Sequence, residues 1–267
     1  MENRKSEAEF WSGPPPANPF EQLPPDIVVS ILTFLEPRDL AAVSKTSRLF
    51  LECGWRNEVI WRNYGRNNGV SPPEGDKSWR QAVEEVLSFH FIPDPPDPEN
   101  PRLILPHRVE FLSKICTTCL LTPPVTHGIK RVTFAFDDFP DFSNIAVGWS
   151  STTNVPNDYL GNSAASVDWN CSGGLFGAHS PEWEQEAGCQ HWGAHDQIGI
   201  ELNMDRHTVR LFKNGTFVCR CGIPEQWTQV WFGACGRASD QCHHTLVCNL
   251  VRVESIPPSA EPELKKK

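Results

Sequence analysis

The chain has 267 residues, a formal net charge of −9 and an apolar fraction of 39 %, with ten tryptophans and ten cysteines. This length accommodates one large domain or two unequal ones, and the apolar content supplies a core, which excludes general disorder. Lysines and arginines are scattered along the chain, so no basic stripe exists to follow a phosphate backbone. We therefore expect no nucleic-acid partner.

The start of the chain leads into a proline-rich stretch without an apolar core, so we expect no secretory signal. No apolar run reaches the length of about 18 residues that marks a membrane-spanning helix, and we expect no membrane insertion. Without an export route the cysteines would stay reduced as thiols. These features predict a cytoplasmic and/or nuclear protein.

Composition divides the chain into five segments. Residues 1–19 are predicted to be a disordered proline-rich arm, 20–66 a helical module, 67–101 a helix with a proline-rich linker, 102–253 a β-rich domain and 254–267 a disordered tail. The β-rich domain consists of short runs separated by Gly, Asn and Pro, which is typical of an antiparallel sandwich. The predicted fold class is α+β multidomain, with a small all-α module followed by an all-β sandwich.

The first helix of the helical module carries two apolar stripes. Ile27, Ile31 and Leu35 recur at helical spacing, while Val28 and Leu32 lie one position around the helix. A module of about forty residues cannot bury this much apolar surface within itself. We therefore expect one face to be covered by the β-rich domain or by another protein.

Later helices are indicated by their terminal residues. A second helix is expected to start at Pro37, a residue suited to the first helical position, and a third to end at Gly54 in a left-handed cap. Ser78 and Gln81 have the spacing of a capping box, which predicts a further helix from Trp79.

The helical module resembles an F-box. Four motifs occur at that family's spacing: Leu23-Pro24, Ile31-Leu32-Thr33-Phe34-Leu35, Pro37-Arg38-Asp39-Leu40 and Trp61. The resemblance implies docking to a Skp-type adaptor and, through it, to a cullin. It also implies seven residues that supply either the adaptor contact or the small core of the module, a division that the sequence leaves open. They are Leu23, Pro24, Ile27, Ile31, Leu35, Pro37 and Leu40.

In the β-rich domain, the sequence pattern predicts strands at residues 129–136, 144–149, 198–202, 208–212, 216–219, 230–234 and 245–248. Its motifs follow the order found in SPRY domains, which it resembles over residues 102–253. They are Val147-Gly148, Leu160-Gly161, Ser166-Val167-Asp168-Trp169, Asp196-Gln197-Ile198-Gly199, Met204-Asp205 and Phe212-Lys213-Asn214-Gly215. Within the last motif, Asn214-Gly215 is a strong hairpin signal.

The SPRY resemblance implies that a protein substrate binds loops at one edge of the sandwich. The matching loops are residues 150–161 and 236–243. The target-binding candidates are Tyr159, Asn162, Arg237 and Asp240. Tyrosine and arginine often carry binding energy, although each of the four also fits an ordinary solvated loop.

Two cysteine pairs raise the question of a metal site. Cys116 and Cys119 have zinc-ligand spacing, but Cys219 and Cys221 lie one residue apart in a strand, which is a poor bite for a tetrahedral ion. We expect no metal and no cofactor, with these thiols packed as small apolar groups. No nucleophile elbow or phosphate loop occurs in the sequence, so we also expect a non-catalytic chain.

The two resemblances together imply a substrate-recognition subunit of a Skp–cullin–F-box ubiquitin ligase. Such a subunit acts by proximity, because it holds a protein substrate beside the activated ubiquitin. Two alternatives remain open. One is an F-box scaffold acting outside a cullin complex, and the other is a glycoprotein-binding F-box receptor that uses Trp183 and Trp192 as stacking platforms. A hydrolase is the weakest of the classes considered.

Overall fold

The computed structural model describes residues 19–73, 75–93, 102–112, 116–137, 145–155, 160–161, 163–177, 190–236 and 246–257. Residues 1–18 of the predicted arm and residues 258–267 of the predicted tail lie outside these ranges. The chain separates into two compact units, Met1–Tyr64 and Gly65–Lys267. None of the described helices combines the length and the apolar content needed to span a membrane.

The described part of the first unit is made of short helices. They are α1 (Pro25–Leu32), α2 (Pro37–Ser44), α3 (Arg48–Phe50) and α4 (Glu58–Asn67), which runs past the boundary of the unit, with a 3₁₀ turn at Pro19–Gln22 and a π-helical turn at Leu51–Trp55. Proline occupies the first position of α1 and α2, where no backbone donor is needed. Trp61 is 1 % exposed and donates its indole N–H to the carbonyl of Trp55 at 2.8 Å.

Gly54 lies inside the π-helical turn rather than in a left-handed cap, so the cap predicted there is wrong. A Cβ at this position would lie 2.9 Å from Cδ1 of Leu40 and 3.1 Å from Cδ1 of Leu32. The glycine is required because side chains from α1 and α2 close directly onto the turn. Gly54 therefore allows the helices to pack closely and does not serve to reverse the backbone.

The described part of the second unit contains one helix, α5 (Trp79–Leu87), and two antiparallel sheets. The strands are β1 (His90–Pro93), β2 (Arg102–Leu105), β3 (Arg108–Phe111), β4 (Thr117–Thr122), β5 (Ile129–Phe136), β6 (Ile145–Ser150), β7 (Ser166–Asn170), β8 (Leu175–Gly177), β9 (Gln197–Asn203), β10 (Thr208–Lys213), β11 (Thr216–Gly222), β12 (Trp231–Gly236) and β13 (Leu246–Ile256). Their order is β1-β4-β12-β6-β7-β8 in one sheet and β11-β10-β9-β5-β13-β3-β2 in the other. The predicted fold class is confirmed.

Side chains from both sheets meet in a core between them. The ring of Phe91 on β1 lies 6.4 Å from that of Phe134 on β5, and both side chains are almost fully buried. Phe89, just before β1, makes an edge contact at 6.4 Å with Phe232 on β12. Two aromatic residues from the segment next to α5 therefore belong to the core of the sandwich.

The segment predicted as a helix and linker, residues 67–101, contains both α5 and β1. The predicted capping box is confirmed, since the Gln81 N–H donates to Ser78 Oγ at 3.1 Å and the Ser78 N–H donates to Gln81 Oε1 at 2.9 Å. The helix packs on β13, while β1 pairs with β4. At the other end, β13 stays paired with β5 as far as Ile256, three residues past the limit predicted for the sandwich.

We predict that residues 65–257 form a stable fragment and that residues 102–257 do not. The shorter fragment lacks Phe89 and Phe91, which are 5 % and 2 % exposed in the core. Loss of a buried phenylalanine side chain costs about 3–5 kcal/mol, and two such losses approach the whole stability of a domain. Thermal unfolding followed by near-ultraviolet circular dichroism measures this difference. Equal melting temperatures for the two fragments would contradict the assignment of β1 to the sandwich.

Candidate protein-docking surfaces

The two apolar stripes of α1 have different environments. Val28 and Leu32 are 0 % and 2 % exposed and form the core of the first unit. Ile27 and Ile31 are 44 % and 41 % exposed, and Phe34, in the turn after the helix, is 87 % exposed. The N–H of Phe34 donates to the carbonyl of Ile31 at 3.2 Å, which continues the helical spacing of the outer stripe.

The seven residues implied by the F-box resemblance therefore differ in solvent exposure. Leu40 is 2 % exposed and belongs to the core. Leu23, Leu35 and Pro37 are half-buried, whereas Pro24, Ile27 and Ile31 are exposed. Phe34 was not among the seven, although its spacing of i+3 from Ile31 and i+7 from Ile27 places it on the same stripe. We name Ile27, Ile31 and Phe34 the α1 outer stripe.

Specific contacts fix the helices around the α1 outer stripe. Ser47 Oγ caps α3 by accepting a hydrogen bond from the Phe50 N–H at 3.2 Å. The hydroxyl of Tyr64 on α4 donates to Glu36 Oε2 at 3.1 Å, next to the start of α2. Burial raises the pKa of Tyr64 above its usual range, and the neighbouring Glu36 carboxylate raises it further. The tyrosine thus stays a hydrogen-bond donor throughout the neutral range.

The four target-binding candidates, Tyr159, Asn162, Arg237 and Asp240, all lie outside the described residues, so their role stays a prediction. Parts of the first loop beside them are described. Val155 and Leu160 are 2 % and 0 % exposed and cluster with Trp231 and Cys235 of β12. These two described residues of the loop therefore pack by apolar contacts on the outer face of the six-stranded sheet.

Asp168 on β7 lies beneath the same loop and is 3 % exposed. Burial raises its pKa to about 7, although the backbone N–H of Phe176 partly opposes the shift. Its Oδ1 atom is buried and has no hydrogen-bond partner among the described residues. Gly161, with φ of +95°, passes so close that a Cβ there would lie 3.1 Å from this oxygen. The Leu-Gly and Asp-Trp motifs found in the sequence are therefore neighbours in space.

Asp196 ties the start of β9 to the β10–β11 hairpin. Its Oδ1 accepts from Asn214 Nδ2 at 2.6 Å, while its Oδ2 accepts from the Gly193 N–H at 2.9 Å and pairs with Lys213 Nζ at 3.1 Å. Burial acts to raise the pKa of Asp196, but these donors together lower it below its usual range. Asn214 and Gly215 both have positive φ, which confirms the hairpin predicted from that dipeptide.

The cysteines that have zinc-ligand spacing do not converge. Cys116 lies beside Cys235 on the outer face of the six-stranded sheet, whereas Cys119 is fully buried near Cys248 of the opposite sheet. Cys219 and Cys221, both 2 % exposed, share the inner face of β11. Within the described ranges, no group of three or more potential metal-ligating side chains is found.

We predict that Asp168→Asn stabilises the protein increasingly as the pH rises from about 4 to about 7. Between the ordinary aspartate pKa and the raised folded value, the folded chain holds a proton that the unfolded chain has lost. The free energy of unfolding of the wild type should therefore fall by a few kcal/mol across this window. Asparagine has a similar shape and does not titrate.

Urea unfolding at several pH values, with Asp76→Asn as an exposed control, measures this effect. The difference in unfolding free energy between Asp168→Asn and wild type should grow with pH, while that of the control stays flat. Parallel pH profiles for wild type and Asp168→Asn would contradict the environment described for this carboxyl.

Comparison with known proteins gives a family match for the N-terminal helical segment and structural likenesses for a larger part of the chain. The family model described as F-box-like matches residues 20–67, and no curated protein sequence matches the chain. Among solved structures, the SPRY domain of human HERC1 is similar at a TM-score of 0.47 and 16 % identity, covering 58 % of this chain and 96 % of that one. A human SPRY domain is similar at a TM-score of 0.42 and 16 % identity, covering 57 % of this chain and 92 % of that one. The TRIM65 PSpry domain is similar at a TM-score of 0.43 and 10 % identity, covering 61 % of this chain and 91 % of that one. The chain thus combines an F-box-like segment at residues 20–67 with a C-terminal sandwich of two antiparallel sheets.

Proposed function

We propose that the chain is the substrate-recognition subunit of a Skp–cullin–F-box ubiquitin ligase. The observation that carries this proposal is the α1 outer stripe, three large apolar side chains left exposed within the segment that matches the F-box-like model. Isolated exposed apolar residues are common on protein surfaces, but three of them in a stripe along a helix and the turn that follows it mark an interaction site. The stripe is the surface that we assign to the Skp-type adaptor, which connects the chain to a cullin.

The energetics of this contact follow from burial. Burying a fully exposed aliphatic or aromatic side chain contributes about 1.5–3 kcal/mol. Ile27 and Ile31 are already more than half buried and gain only part of this, but the three side chains together still supply a substantial share of a specific association. Phe34 has the most surface to bury and should be the main anchor. Pro24, exposed next to the start of α1, would complete the contact.

The sandwich is the part that we assign to the protein substrate, with Tyr159, Asn162, Arg237 and Asp240 as the proposed contacts. A bound target then meets activated ubiquitin at high effective concentration, and the chain contributes position rather than chemistry. We propose a non-catalytic adaptor that works in the cytoplasm and/or nucleus, where its thiols remain reduced.

The glycoprotein-binding alternative loses one of its two tryptophans. Trp192 is 4 % exposed and stacks on Phe136 with ring centroids 5.3 Å apart, so its face is not open to a sugar. Trp183 lies outside the described residues. An F-box scaffold outside a cullin complex would use the same α1 outer stripe, and co-purification of a cullin distinguishes it from the ligase subunit.

We predict that Ile31→Asp weakens binding to the Skp-type adaptor by about 100-fold, because the interface would bury an unpaired carboxylate at a cost of several kcal/mol. The matched control is Val59→Asp, which places the same charge on α4 at a side chain that is 42 % exposed. Titration calorimetry with the purified adaptor measures both variants, after circular dichroism has shown that each is folded. If both variants bind like wild type, or if both lose binding equally, the α1 outer stripe is not the docking surface.

A further inference from the structure

A row of charged side chains crosses five adjacent strands on the outer face of the seven-stranded sheet. In the strand register Arg220 on β11 lies opposite Arg210 on β10, and Arg210 lies opposite Glu201 on β9. Glu201 in turn lies opposite Arg131 on β5, which faces Glu254 on β13. From the interior of the sheet to its edge, the signs run negative, positive, negative, positive, positive.

The inner four members of the row neutralise one another. Glu201 is 1 % exposed, and its Oε1 accepts from Arg210 Nη1 at 3.0 Å while its Oε2 accepts from Arg131 Nε at 3.0 Å. Arg131 Nη1 also lies 3.7 Å from Glu254 Oε2. A buried carboxylate held by two guanidinium groups fixes the orientation of both arginines.

Arg220 breaks this alternation at the edge. Its cross-strand neighbour Arg210 carries the same charge, and like charges directly opposite each other destabilise a sheet. Within the part of the chain that the structure describes, the Arg220 side chain forms no hydrogen bond or ion pair. The row therefore ends in a cation that lacks the carboxylate that every other arginine of the row possesses.

The surface beside Arg220 has further features of a binding site. Phe217, on the same face of β11, is 38 % exposed and is held by an edge contact to Phe212 at 6.0 Å and by Arg210, whose guanidinium lies 5.4 Å from the ring centre. Among the described strands, β11 pairs only with β10 and forms one edge of its sheet. An edge strand offers backbone donors and acceptors to another extended segment.

We propose that β11 binds an extended acidic segment of a partner protein, which lies alongside it as an added strand, places a carboxylate next to Arg220 and covers Phe217 with an apolar side chain. A carboxylate at this position restores the alternation of charge along the row. A second copy of β11 would not, because Thr216–Gly222 contains no acidic residue and would bring another arginine to the edge. The site is separate from the α1 outer stripe and does not depend on adaptor docking.

The test is a nuclear magnetic resonance titration of the full chain with a blocked peptide of Thr-Val-Thr-Glu repeats, of about nine residues to match the length of a strand. We expect amide shifts centred on Thr216–Gly222, with an affinity that falls as salt rises. The same peptide with glutamine in place of glutamate should bind at least about tenfold more weakly, because it lacks the charge.

Reversing the charge of Arg220 distinguishes a specific contact at this residue from a general effect of the net charge of the protein. Arg220→Glu should lose binding to the glutamate peptide and gain binding to a Thr-Val-Thr-Lys peptide. Arg62→Glu, which makes the same change of charge at an exposed position of α4, should behave like wild type. If Arg220 serves only to prevent strand pairing, the wild-type chain will not bind the glutamate peptide and Arg220→Glu will not bind the lysine peptide. Absence of shifts at millimolar peptide, equal binding of the glutamine peptide, or shifts centred away from β11 would each overturn the proposal.

Discussion

The close approach of α1 and α2 to Gly54 is the constraint on which the docking surface depends. With no side chain at Gly54, Leu32 and Leu40 close onto the π-helical turn, within about 3 Å of the position that a Cβ would occupy. This close packing accommodates α1 with its Leu32 side chain directed into the core. Because the stripe that contains Leu32 must face inward, the neighbouring stripe with Ile27 and Ile31 must face solvent, where a second protein can cover it.

Three carboxylates of the sandwich show how one chemical group serves different structural ends. Asp196 is ionised and satisfied by donors from the β10–β11 hairpin, which it ties to the start of β9. Burial raises the pKa of Asp168 to about 7, and its Oδ1 atom has no hydrogen-bond partner among the described residues. Glu201 is equally buried but paired with two arginines, so its charge organises a row across the sheet. The depth of burial and the donors around each group together produce these differences.

Much of the fold could be predicted because its signals are local. In the strand at residues 129–136, large apolar residues recur at every second position from Val132 to Phe136, and Asn214-Gly215 specifies its hairpin. The strand β1 was missed because four residues between a helix and a proline-rich stretch carry no period, and only pairing with β4 reveals it. Both apolar stripes of α1 can be recognised in the sequence. Which stripe is buried and which is exposed depends on Gly54 and on contacts between residues distant in sequence. Arg220 gave no signal at all, since its significance lies in the register of five strands.

The central claim is that the chain docks to its adaptor through α1 and leaves the sandwich free for a target. Hydrogen–deuterium exchange of the full chain, alone and with the Skp-type adaptor, tests it most directly. We expect slower exchange across residues 25–44 and unchanged exchange in the strands of both sheets. Protection confined to the sandwich, or no protection of α1 in a complex that forms, would contradict it.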